Sequence, residues 1–162
     1  MALKIVRFLS IFLTAVAFGL AYAHVMEAPG ARTLSGAEWL AVQHTFYGGF
    51  AVSGGVGEVG GLAATLVALY LVRGHRVAFI WTLVAALCLA LMLVVFAVGN
   101  NPLNARIATW TPATLPGDWR QVREAWDNFH ATSAALAAVG LAAQIIATLS
   151  DYRVTRRAKP PA

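Results

Sequence analysis

Four stretches of the chain are apolar for long enough to cross a bilayer core, which takes ~20 helical residues. The first runs from about Phe8 to Val25, behind Lys4 and Arg7. The second ends at Val72 and reaches back through a glycine-rich stretch toward Trp39. The third runs from about Val77 to Val98 and the fourth from about Phe129 to Ser150. Arg73-Gly74-His75-Arg76 leaves room only for an antiparallel hairpin between the second and third. The connections EAPGARTLSG and NNPLNARIATWTPATLPGDWR are longer and rich in Pro, Gly, Asn and Thr, as surface loops are. The pattern predicts an all-α, four-helix transmembrane bundle forming one domain over 1–162. Its helices are expected at about 8–26, 40–72, 77–99 and 121–150, with a basic tail over 151–162.

Composition strengthens this reading. Of 162 residues, 59% are hydrophobic and 12% charged, against about 25% charged in a soluble domain. Charge placement then orients the bundle. Of the 12 basic residues, eight flank the ends at Lys4/Arg7, Arg73/Arg76 and the tail, namely Arg153, Arg156, Arg157 and Lys159. Arg32, Arg106, Arg120 and Arg123 lie on the other side, with every acid except Asp151. This asymmetry predicts both termini on the cytoplasmic side of a multi-pass protein, in a membrane of the bacterial inner type. It also excludes the phosphate-tracking stripe of a nucleic-acid binder. The single cysteine, Cys88, sits in an apolar run and reads as a small buried hydrophobe. Ala21-Tyr22-Ala23 behind a basic, apolar start also resembles a signal-peptide cleavage site. The apolar run continues past it, which favours an uncleaved anchor.

The second span is unusual: seven of the 14 glycines fall between Gly48 and Gly61. In a bilayer small residues let helices approach closely, so packing is the first reading. A helix loosened to admit a substrate, cofactor or lipid is the second.

Counting from the basic ends at 1.5 Å per residue gives each polar side chain a depth. His24 and Glu27, His44, Asn100 and Asn101, and His130 all arrive near the outer boundary. Glu58 falls in the outer half of the core. An ionised carboxylate at membrane depth costs ~2.5–3.5 kcal/mol, so Glu58 is expected to face the bundle and to matter for function. On one continuous helix His44 and Glu58 would stand about 21 Å apart along the axis. Trp119, Arg123, Trp126 and His130 share one helical stripe. Arg120 and Arg123 each have an acid four residues on, Glu124 and Asp127. Interfacial anchoring is the alternative account of Trp119 and Arg120. His24, Glu27, His44 and His130 could hold a transition metal only as a site assembled from several helices, since no close-spaced ligand motif occurs. The same residues could serve as acids and bases toward an organic substrate stacked on Trp110, Trp126, Phe46 or Tyr47.

The run FAVGNNPLNARIATW and the following PGDWRQVREAWDNFH resemble the anthrone-oxygenase-like integral membrane family, small four-helix proteins, most without an assigned activity. The matching positions are Asn101, Pro102, Asn104, Trp119, Arg123, Trp126 and His130, so the specific likeness covers about residues 96 to 130. It implies a four-helix membrane fold and, for some members, oxidation of anthrones to anthraquinones with dioxygen. The expected function is therefore a membrane oxidoreductase acting on an apolar aromatic or quinone-like molecule at the outer face. Glu58, His130 and His44 are the acid–base candidates, Arg123 the oxyanion stabiliser, and Asn100 and Asn104, with Trp110, Trp126 and Tyr47, the substrate contacts. An accessory subunit of a larger membrane complex and a small proton-coupled carrier with Glu58 as its proton site are the alternatives. The expected partners are the bilayer and an apolar small molecule, with a homo-oligomer left open and no nucleic acid.

Overall fold

The structure, a computed structural model, describes residues 1–157, with side chains described through Ser150. The basic tail residues from Asp151 on lie outside the described side chains. Among the described residues lie α1 (Ala2–Ala31), α2 (Gly36–Phe46), α3 (Gly48–Leu71), α4 (Arg76–Val95), a π-helical turn (Phe96–Asn100), α5 (Asn101–Ile107) and α6 (Trp119–Arg157). Strands are absent from that set. Four helical stretches are long and apolar enough to cross a membrane: α1, α3, α4 continued through α5, and α6.

The packing is inverted relative to a water-soluble bundle. α1 packs on α3 and α6, and α4 packs on α6 and, less extensively, on α3. Small and hydroxylated residues fill the interior: Ala17, Ala21, Ala85, Ala134, Ala137, Thr14, Thr65 and Thr82 are all buried. Large apolar side chains such as Phe8, Val56, Leu66, Leu87 and Leu91 face outward. In lipid, helices gain by close approach of backbones and interhelical hydrogen bonds, and big side chains solvate the perimeter. Toward the Arg73–His75 hairpin, the Gln144 amide nitrogen donates to Thr14 Oγ1 at 3.0 Å and to Thr65 Oγ1 at 2.8 Å. That one side chain ties α6 to α1 and α3.

The glycine stretch divides by neighbour. A Cβ at Gly57 would stand 3.1 Å from both Ala17 N and Leu13 O of α1, and one at Gly61 would stand 3.2 Å from Thr14 Oγ1. Those glycines let α1 and α3 touch through their backbones. Gly48, Gly49, Gly54 and Gly55 have nothing within 4 Å of the same position. They do not serve packing.

Two expected boundaries are corrected. The helix expected over 40–72 is broken at Tyr47 into α2 and α3. Residues 101–107, read as loop, are helical, because proline suits a first helical turn where its missing N–H costs nothing. α2, α5 and the start of α6 build a cap at the end opposite the hairpin. Its core holds Trp39, Leu40, Ile107, Trp110, Trp119, Val122 and Trp126. Trp119 is therefore buried rather than an interfacial anchor, with the Arg120 and Arg123 guanidinium carbons 4.8 and 5.1 Å from its ring centroid.

α2 starts at a capping box. The Ser35 hydroxyl and backbone N–H both donate to Glu38 Oε2, at 2.7 and 2.8 Å, and the Glu38 N–H donates back to Ser35 Oγ at 3.4 Å. The Ser35 bonds hold the Glu38 carboxyl below its usual range, so its support of α2 is present at neutral pH and fades as pH falls through that lowered value. Ser35→Ala should cost ~1 kcal/mol at this helix start. Amide exchange across residues 36–40 should accelerate while exchange in α1 and α3 is unchanged.

Candidate functional site

Below the cap lies a cavity of about 470 Å³, bounded by α1, α2, α3, the π-helical turn, α5 and α6. That volume is in the range of small-molecule sites. His24, His44, Glu58, Asn100, Asn104 and His130 bring polar groups to it; Ala17, Leu20, Val59 and Leu93 give it apolar walls. The break at Tyr47 explains how His44 and Glu58 reach one cavity. His44 lines it from α2 and Glu58 from α3.

On its wall two imidazoles meet. The His24 and His130 ring centroids are 4.3 Å apart, with planes at 68°. Around His24 stand Tyr47, Phe50 and Trp126, with centroids at 4.7, 5.0 and 4.8 Å. His24 is only 6% exposed, and its Nδ1 has no hydrogen bond. Asn100 is turned inward by the π-helical turn, where one extra residue per turn redirects side chains. Its Nδ2 donates to the Trp126 carbonyl at 3.3 Å and lies 2.7 Å from His130 Nδ1. The same Nδ1 stands 3.0 Å from the Trp126 carbonyl, so it accepts from the Asn100 amide in one tautomer of the ring and donates to that carbonyl in the other. Trp126 is itself held by an indole N–H bond to Asn104 Oδ1 at 2.7 Å. Glu58 is half-buried, and no hydrogen bond or ion pair among the described residues engages its carboxyl.

The wall toward the cap is also organised. Tyr47 donates to Glu27 Oε2 at 2.7 Å, and that oxygen stands 3.6 Å from His24 Nδ1. Burial first, then this bond and the Glu27 charge, push the Tyr47 phenol well above its usual range, so Tyr47 is a hydrogen-bond donor throughout the physiological range.

Arg123 does not meet the expectation set for it. Its guanidinium donates to the Ala31 carbonyl at 3.1 Å and lies over Trp119, outside the cavity lining. It joins α6 to the end of α1. Asp127 likewise faces Arg32, at 3.6 Å, where pairing within α6 is the sequence expectation. Trp110 belongs to the core of the cap and Phe46 is exposed, so the aromatic surfaces on the cavity are Tyr47, Trp126, Phe50 and Phe96. Phe50 does not stand out in the sequence, where it reads as one more apolar residue of a span. Of the four residues expected as metal ligands, Glu27 Oε2 stands 3.6 Å from His24 Nδ1, and only His44 is turned elsewhere. His24 and His130 touch, Glu27 is engaged by Tyr47, and His44 Nε2 is 3.3 Å from the Ile107 carbonyl. Among the described residues no three His, Cys, Asp or Glu side chains converge as a metal site would require.

No protein-family model matches the chain, and neither a curated protein nor a solved structure matches it. The site must be read from its own chemistry.

Proposed function

We propose that the chain is a membrane oxidoreductase acting on an apolar aromatic or quinone-like molecule held in this cavity. The observation that carries the reading is the His24–His130 pair, set in an aromatic box on the wall of a cavity that also holds Glu58. The aromatic rings suit a planar ligand, and the polar groups suit its oxygens.

For a substrate of the anthrone type, Glu58 is the base that removes a proton from the activated ring methylene. The charge moves to the ring oxygen, where the N–H of His130 Nε2 stabilises it as an oxyanion-hole donor does. This replaces the role first expected of Arg123. This role needs the tautomer in which Asn100, as a positioning residue, donates to His130 Nδ1 and the ring proton sits on Nε2. Dioxygen is the oxidant. The methylene carbon loses two hydrogens and gains one oxygen, and the second oxygen leaves with both hydrogens as water. The resemblance over residues 96 to 130 supports the same chemistry.

The test is direct. Protein in lipid nanodiscs is incubated with an anthrone and dioxygen, and quinone formation is followed by absorption and chromatography. Turnover well above the protein-free rate is expected; equal rates would overturn the reading.

The charge asymmetry supports an arrangement with both termini cytoplasmic and the cavity in the outer half of the bilayer. Reporter fusions after Arg76 and after Lys159 should both report cytoplasm, and one after Thr111 the opposite side. A fusion after Thr111 that reports cytoplasm would invert the arrangement.

A further inference from the structure

The catalytic reading makes no use of Gly54 and Gly55. Both line the cavity, and neither has a neighbour within 4 Å of the position a Cβ would take. Glycine weakens a helix interior by about 0.5–1 kcal/mol relative to alanine, and here no packing contact repays it. What their missing side chains leave is space. That space is open on the lipid side: Ala51, Gly55 and Val59 of α3 line the cavity and are exposed, Val59 at 58%. Across the gap stand Leu93 of α4 and Phe96 of the π-helical turn, the latter 40% exposed. α3 and α4 pack less extensively on each other than either does on its other neighbour, so no helix closes this side.

The slot also has a polarity gradient. His24, His44, Asn100, Asn104 and His130 cluster toward the cap, while Ala17, Leu20, Val59 and Leu93 line the deeper part, where Glu58, next to Val59 on α3, is the one carboxylate among the described residues. Val59 lies twelve residues beyond Tyr47, on the order of 18 Å along the axis, and so at the middle of the 24-residue α3. The gradient has the same sense as that of a lipid leaflet. At its polar end lies His24, only 6% exposed, whose Nδ1 has no hydrogen bond and stands 3.6 Å from Glu27 Oε2.

We infer that the ligand is an amphipathic, single-tailed molecule, a planar quinone-like head with a hydrocarbon tail, that enters sideways from the bilayer through the slot between α3 and the α4–π-turn segment. The head sits against His24 and His130, and the tail leaves over Gly54 and Gly55 toward the membrane middle. This rests on the site reading above and names its substrate class. The slot selects by tail: a tailed molecule fills both halves, whereas a bare ring fills only the polar half.

The experiment compares two probes in nanodiscs, a naphthoquinone bearing an isoprenoid tail and the same naphthoquinone without one, with binding read by quenching of tryptophan fluorescence. Wild-type protein should bind both. Gly55→Leu and Gly54→Leu place a side chain in the slot where nothing opposes it, so both variants should elute and melt like the parent. Each should lose tenfold or more in affinity for the tailed probe while holding the tail-less one within about twofold. Comparing variants within each probe cancels the difference in how the two partition into lipid. Unchanged affinity for the tailed probe, or an equal loss for both probes, would overturn the tail assignment and leave the site reading in place. Failure of wild type to bind either probe would overturn the site reading and this inference with it.

Discussion

Glu58→Gln should lower oxidation of an aromatic substrate by ~100-fold or more, the usual effect of losing a general base, while the protein folds as the parent does. Glutamine keeps the size of the side chain and removes its titration. It also removes an ionisable group from membrane depth, so the melting temperature in detergent should hold or rise. His130→Ala should lose about 10²–10³-fold, the range for deleting one oxyanion donor. His130→Gln keeps an amide N–H near the same place and should fall less. If the base and the donor act on one substrate in one step, the double variant Glu58→Gln/His130→Ala should lose little beyond the worse single one. An accessory subunit would give the reverse pattern. Both single variants would then work in the host, and any harm would appear as poor assembly. Full activity in Glu58→Gln would remove the catalytic role assigned to the cavity.

The second large effect lies in the membrane. Gly57→Leu should prevent normal folding or leave a protein that elutes as aggregate, because the new side chain would start 3.1 Å from backbone atoms of α1. Backbone cannot turn aside as a flexible side chain can, and overpacking costs ~1–3 kcal/mol even where relaxation is possible. Sequence alone gives Gly54 the same expectation, since both lie in one glycine run. The structure separates them: Gly54 meets nothing within 4 Å, and its leucine variant should fold. Size-exclusion profiles and melting curves of the two variants side by side provide the check. A well-behaved Gly57→Leu would mean that α1 and α3 do not meet there.

Whatever has a period or a length is legible in the sequence. The four spans stand out because uninterrupted runs of ~20 apolar residues belong to membrane helices, and the inward stripe of Trp119, Trp126 and His130 because it repeats at the helical spacing. The convergence of His24, His44, Glu58, Asn100 and His130 on one end follows from counting depth, since depth depends only on rise per residue. Changes of direction are harder to read. Hydropathy runs smoothly through Tyr47 and Gly48 and does not record that the axis breaks there. One local signal does mark a separate α2: Ser35 and Glu38 have the spacing of a capping box, which announces a helix start at Gly36. Arg123 escapes the sequence for a different reason. A stripe tells which face a residue occupies, not how far its long side chain travels, and the Ala31 carbonyl that receives it lies on another helix. His24 looks ordinary in the sequence because its importance comes from Phe50, Tyr47 and Trp126, all distant along the chain.

The Gln144 bonds have a consequence for the order in which the protein is made. Their partners, Thr14 and Thr65, precede Gln144 by 130 and 79 residues, so α6 leaves the ribosome after α1 and α3. Thr65 can satisfy itself meanwhile by donating to the Gly61 carbonyl of its own helix. The Gln144 amide N–H makes both of its bonds to other helices and none within α6 among the described residues. A newly inserted α6 therefore carries two unmatched amide hydrogens until it has rotated to face α1 and α3 together, while Oε1 stays without a partner among the described residues even in the finished bundle. Completion of the bundle is thus registered at one side chain, and a chain with α6 misrotated differs from the finished protein by two unpaired amide hydrogens.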